Sequence, residues 1–154
     1  MKVLVVSDSH GRKELLDRIL SKEPDCKEVI FLGDGIGDIE YVSGFYPGIK
    51  FTCVRGNNDW NFTVSSEAYR CFDGVALFAC HGDTYGVRST LRSLFRKAAS
   101  VQARLVLYGH THVACEMKDP LTGVVAVNPG AVCDGRYCVI DFSGGGFTAE
   151  RKYC

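Results

Sequence analysis

Residues 2–6 (KVLVV) form a short β-branched apolar block bounded by polar residues, a pattern that predicts a fully buried strand. The period then changes. Leu15, Leu16, Ile19 and Leu20 fall on one stripe of residues 12–21, which predicts a helix with a single apolar face. Glu28–Leu32 repeats the buried-strand pattern and is stopped by "GDGIGD"; a loose helical stretch covers 38–46. Lys50–Val54 is a third strand, ended by "RGNND". Strands alternating with helices in this order predict a parallel sheet with crossover helices.

Beyond residue 60 the pattern is of another kind. Glu67–Phe72 and Val75–Cys80 flank Asp73–Gly74, a hairpin signal. Arg88–Ser100 carries Leu91, Leu94, Phe95 and Ala98 at helical spacing, and Leu105–Tyr108 reads as a buried strand. Further strands are expected at 113–118, 123–127, 136–142 and 147–153, joined by the turn-forming segments "DPLTG", "NPGA" and "SGGG". The expectation is one domain over residues 1–154: two sheets packed as a sandwich, with helices on the outer faces. No linker, repeat or low-complexity stretch interrupts it.

Composition narrows the function. Lys+Arg and Asp+Glu both number 18, and no basic stretch stands out, so tight binding to duplex nucleic acid is not expected. No apolar run approaches the ~20 residues that span a bilayer. The N-terminus lacks the apolar core and cleavage site of a signal peptide. A cytoplasmic, reducing location is therefore expected, with no membrane association. The eight cysteines then read mostly as small buried hydrophobes, not as disulfides or a zinc ribbon.

The chemistry-bearing residues share a context. All four histidines (His10, His81, His110 and His112) directly follow apolar runs, and Asp8, Asp34 and Asn57 sit at similar strand ends. A lone histidine at a core edge is usually a satisfied polar residue; four in one context are harder to dismiss. The five segments are "SDSHG", "GDG", "GNND", "CHGD" and "GHTH". Residues two apart in extended chain point to one side, so Asp8 with His10, and His110 with His112, can each project two ligands into one crater. Imidazoles, carboxylates and an amide oxygen suit divalent Mn, Fe, Zn or Ni. Seven such side chains exceed the needs of one ion and fit two held about 3.5–4 Å apart by a bridging carboxylate. Asp34, which has no ligand partner beside it, is the candidate bridge.

These motifs, in this order, resemble those of the calcineurin-like metallophosphoesterases, in particular their branch of small bacterial and archaeal phosphodiesterases. The likeness covers essentially the whole chain and implies a four-layer α/β/β/α sandwich of two mixed sheets. It also implies two ions, with manganese expected: one on Asp8, His10, Asp34 and His112, the other on Asp34, Asn57, His81 and His110. "GHTH" would thus give one histidine to each. The implied reaction is hydrolysis of small phosphodiesters through attack by a hydroxide bridging the ions.

One position departs from the wider family, where many relatives carry histidine at the place of Asn58. An amide can donate a hydrogen bond to a leaving oxygen but transfers no proton near neutral pH; the same branch often lacks this histidine too. Asn58 and Asp59 are nonetheless the candidate catalytic residues, with Asp59 also expected to order the loop. Gly33, Gly56, Gly82 and Gly109 read as turn residues. Trp60 and Phe62 could stack on an aryl group or pack in the core, and Tyr85 and Arg88 could contact phosphate. "NPGA" reads as a support of the site, and Cys80 as a buried thiol with nothing to activate it. Two other functions compete: a phosphomonoesterase or nucleotidase, and a protein-interaction scaffold, as the retromer subunit built on this fold shows. Retention of competent side chains at all seven ligand positions favours an enzyme. An oligomer is possible but is not readable from the sequence.

Overall fold

The computed structural model describes residues 1–154, and the first half of the chain alternates as the pattern predicts. The elements are β1 (Lys2–Val6), α1 (Lys13–Lys22), β2 (Glu28–Phe31), α2 (Ile36–Ser43) and β3 (Lys50–Cys53). After them come β4 (Glu67–Phe72), β5 (Val75–Cys80), α3 (Arg92–Ser100), β6 (Leu105–Leu107), β7 (Cys115–Lys118), β8 (Val125–Asn128), β9 (Arg136–Ser143) and β10 (Gly146–Tyr153). One sheet has the order β10-β9-β1-β2-β3 and the other β4-β5-β6-β8-β7. Both are mixed: β1, β2 and β3 run parallel with antiparallel β9 and β10 at one side. In the second sheet β5, β6 and β8 run parallel between antiparallel β4 and β7.

Strand alternation builds the layers. Val3 and Val5 of β1 face the second sheet and pack with Leu77, Ala79, Leu105 and Leu107. Leu4 and Val6 face outward, onto Leu16, Ile19 and Leu20 of α1. On the far side, Phe78 and Val106 meet Leu94, Phe95 and Ala98 of α3. The molecule is therefore an α/β/β/α sandwich. Helix α1 has no side-chain N-cap, which costs about 1 kcal/mol. Each apolar side chain it buries contributes roughly 1.5–3 kcal/mol, so packing outweighs the missing cap.

Two helices differ from expectation. Helix α2 starts at Ile36, because Asp59 from the loop after β3 accepts hydrogen bonds from the N–H groups of Gly35 and Ile36. Helix α3 starts only at Arg92; the residues before it form a 3-10 turn (Asp83–Tyr85) and a left-handed Gly86. The cysteines also differ. Cys26, Cys80 and Cys138 are buried, four others are half-buried and Cys71 is exposed, all as free thiols. Cys53, Cys71, Cys115 and Cys154 lie on or just beyond edge strands, and Cys133 lies in the 3-10 turn Val132–Asp134. No helix is long and apolar enough to cross a membrane.

Candidate metal centre

Asp8 and His10 follow β1, Asp34 follows β2, Asn57 to Asp59 follow β3, His81 follows β5, and His110 and His112 follow β6. Parallel strands send these loops to one edge of the sandwich, where ligands bind in open α/β sheets. The pairing of ligands does not come from extended chain. Asp8, His10, Asp34, His110 and His112 all have φ between 44° and 66°, in the left-handed region. A non-glycine residue there costs on the order of 1–3 kcal/mol and is held only by its surroundings. Tight left-handed turns, not a pleat, aim these side chains inward.

Asp8 and Asp34 are almost completely buried, at 0% and 3% exposure. The Oδ1 atom of Asp8 lies 3.1 Å from His112 Nε2, 3.5 Å from His10 Nε2 and 4.0 Å from His81 Nε2. The Oδ2 atom of Asp34 lies 3.4 Å from His81 Nε2 and 3.8 Å from His10 Nε2. His10 and His112 approach to 3.2 Å through Nε2, and His110 Nδ1 lies 3.2 Å from His81 Nε2. Two donor groups that overlap at Asp8 result, Asp8, His10 and His112, and Asp8, Asp34 and His81, and a third joins His112 to Cys133 and Asp134. Asp8 belongs to the first two, and Asp34 also faces a histidine from each of them. No lysine or arginine pairs with either carboxylate; their ion-pair partners are imidazoles. Buried carboxylates need a compensating charge. A mixed oxygen and nitrogen donor set without an ammonium or guanidinium group fits divalent cations.

A surrounding shell fixes these atoms. His81 Nδ1 donates to the Leu32 carbonyl at 2.7 Å, which turns Nε2 toward the carboxylates. Asp8 Oδ2 accepts from Ser7 Oγ and from the His110 N–H, leaving Oδ1 to face the imidazoles. Asn128, at the end of β8, donates to Gly109 O at 2.9 Å and to Thr111 Oγ1 at 3.0 Å, bracing "GHTH". Asp38 Oδ2 accepts from Ser9 Oγ and Gly11 N and holds the loop after β1. Gly56 and Gly109 serve close packing and not a turn conformation. A methyl group on Gly56 would overlap Asp34, and one on Gly109 would overlap Ser7 and Asp8.

Asn58 and Asp59 act differently from each other. Asn58 donates to Asp34 twice, from N to Oδ1 at 2.8 Å and from Nδ2 to Oδ2 at 2.7 Å. Asp59 accepts from the N–H groups of Asp34, Gly35, Ile36 and Gly56 at 2.7–2.9 Å. Asn57 is exposed, and the amide that reaches Asp34 is that of Asn58. Burial opposes ionisation of Asp34, but hydrogen bonds from His81 and Asn58 outweigh it and hold the carboxyl well below its usual range. Burial likewise opposes charge on His81, yet Asp34 and Asp8 raise its pKa. Burial, then the neighbouring His81 and Arg88, lowers that of His110.

The remaining candidates divide. Arg88 Nε donates to His110 Nε2 at 3.0 Å, at the mouth of the cluster. The Tyr85 hydroxyl instead donates to Glu67. Trp60 and Phe62 are exposed, at 83% and 68%, and not in the core; their rings meet edge to face. Burial raises the Cys80 thiol, which keeps it protonated. The sequence did not mark Ser7 or Asp38 as part of this shell.

Residues 1–143 match the model of the calcineurin-like phosphoesterase superfamily domain. The chain belongs to that superfamily. The probable metallophosphoesterase YsnB of Bacillus subtilis is 28% identical over 134 residues, 86% of this chain and 75% of that one. A predicted phosphoesterase from Streptococcus pneumoniae shares the fold with a TM-score of 0.82 at 19% identity, covering 99% of this chain and 88% of that one. A structure described as a novel archaeal phosphodiesterase matches with a TM-score of 0.75 at 19% identity, covering 99% and 100%. Vps29 from Chaetomium thermophilum matches with a TM-score of 0.77 at 15% identity, covering 98% and 96%. At these identities the three structures speak for the calcineurin-like fold alone.

Proposed function

We propose that this calcineurin-like phosphoesterase is a hydrolase of small phosphodiesters that works with two divalent ions, manganese foremost, with nickel, iron or zinc as substitutes. The observation that carries the reading is the pair of buried carboxylates, Asp8 and Asp34, facing imidazoles and no ammonium or guanidinium group. Asp8, His10, Asp34 and His112 would hold one ion; Asp34, His81, His110 and the amide of Asn57 would hold the other. When bound, such ions lower the pKa of water and neutralise phosphoryl charge. The chain's own residues supply the frame. Asp34 stays ionised at neutral pH, His81 is locked by Leu32, and Asn58 and Asp59 hold the Asp34 loop in place.

The reading takes diesters before monoesters because the archaeal structural neighbour is described as a phosphodiesterase. A non-catalytic scaffold, the alternative that the Vps29 likeness suggests, has no need of five left-handed residues turned into one cluster. A balanced charge of 18 cationic and 18 acidic residues favours a small substrate over duplex nucleic acid, in the cytoplasm. The test is hydrolysis of aryl diesters, cyclic and linear nucleotides and phosphomonoesters by chelated protein resupplied with each metal. Turnover of diesters restored by manganese is expected. Absence of turnover on every ester with every metal defeats the reading, and a preference for monoesters replaces it with a phosphomonoesterase.

A further inference from the structure

The two nitrogens of His110 have different neighbours. Nδ1 faces His81 inside the cluster, while Nε2 accepts a hydrogen bond from Arg88 Nε at 3.0 Å. Arg88 itself is exposed, on the turn between the 3-10 segment Asp83–Tyr85 and α3, with buried Val87 anchoring that turn. A guanidinium carries five N–H donors. Only Nε is engaged, and no carboxylate pairs with Arg88 in the molecule. With Nε spent on His110, the edge formed by Nη1 and Nη2 remains, and that edge matches two oxygens of one anion. A cavity of about 330 Å³ opens here, lined by Arg88, His110, Thr111 and His112, with no apolar residue and no carboxylate. Its floor is made of imidazoles from both halves of the proposed centre. An unpaired cation over such a floor calls for an anion at this position.

We propose that Arg88 binds the phosphoryl group of the substrate through its Nη edge. The assignment rests on the phosphoester reading above. It separates two residues that the sequence places on an equal footing, since the Tyr85 hydroxyl is committed to Glu67. It also gives the ester's negative charge a partner that is present before any ion arrives. A merely structural Arg88 would brace the turn against His110 and take no part in binding anions.

The experiment is calorimetric titration of inorganic phosphate into the manganese-loaded full chain, wild type against Arg88→Ala and Arg88→Lys. Manganese affinity and melting temperature are measured on the same samples. Charge-assisted hydrogen bonds of this kind are worth roughly ten- to a hundred-fold in affinity. Arg88→Ala is expected to weaken phosphate by that factor and to lower kcat/KM for an aryl diester in parallel, with manganese affinity within about threefold of wild type. Arg88→Lys, which keeps the charge and loses the fork, should fall between. Phosphate affinity unchanged in Arg88→Ala overturns the proposal, whether or not the melting temperature drops. So does a loss of phosphate binding matched by an equal loss of manganese, because Arg88 would then act through His110. If wild type binds phosphate through Arg88 but hydrolyses no ester, the anion site stands and the hydrolase reading alone falls.

Discussion

Four backbone N–H groups converge on the Asp59 carboxylate, an arrangement that favours a positioning role over a catalytic one. Asp59→Asn keeps the shape and replaces one acceptor oxygen by an NH2, which leaves buried donors facing a donor. Such a loss costs about 1–3 kcal/mol, or a fall in melting temperature of roughly 2–4 °C per kcal/mol for a chain of this size. Lower stability and lower turnover are expected together; lost turnover at unchanged melting temperature would restore a direct chemical role. Asn58 carries a second expectation. Its amide is bound to Asp34 and transfers no proton near neutral pH, while general-acid help is typically worth about 10²–10⁴-fold. Activated aryl diesters should therefore react well, and log kcat/KM should fall steeply as leaving-group pKa rises. Asn58→His should flatten that line for poor leaving groups, and an already shallow line in the parent would mean that another group protonates the leaving oxygen. The ligand residue types were legible because each sits where an apolar run stops. The left-handed turns that aim them were not, because Asp8 and His110 are held by partners distant in the chain: the Asp8 N–H donates to Gly33 O and the His110 N–H to Asp8 Oδ2.

At the scale of elements, the strands of both sheets were readable to within about two residues because each carries the alternation or the buried block that its layer demands. The helix starts were not. Helix α2 gains its first turn from Asp59, 23 residues beyond Ile36, and no local pattern encodes a cap supplied from that distance. A polar junction between elements was equally hidden. Glu67 of β4 accepts from Tyr69 at 2.6 Å and from the Tyr85 hydroxyl, and pairs with Lys97 of α3 at 3.1 Å. Burial opposes its ionisation, but these three partners outweigh it, and its pKa lies below the ordinary glutamate value. A carboxylate lowered in the folded state stabilises fully above its unfolded pKa of about 4.3, and that contribution is lost as pH falls toward the folded value. Glu67→Gln should thus melt below wild type at pH 7, with the gap closing as pH falls below the unfolded glutamate pKa of about 4.3. A gap that stays constant over that range would show that the junction holds by shape and not by charge.

For the molecule as a whole, the sandwich brings five strand ends to one edge and so concentrates negative charge where no lysine or arginine pairs with the two carboxylates. A ligand that binds only the folded state stabilises it by about 2.7 kcal/mol at a hundredfold excess over Kd. Manganese should accordingly raise the melting temperature by several degrees, and chelation should reverse the shift. The two donor groups share Asp8, Asp34 faces a histidine of each, and their outer histidines differ, which makes the mutants unequal. Asp34 presents Oδ2 to both His10 and His81, so Asp34→Asn should weaken both ions and remove most of the thermal shift. His10→Ala touches one group only and should leave one ion bound near its original affinity, with part of the shift intact. Metal content after gel filtration, read beside calorimetric titration, separates the cases. Two ions held by Asp34→Asn at wild-type affinity would move the bridging role to Asp8, the residue common to both groups.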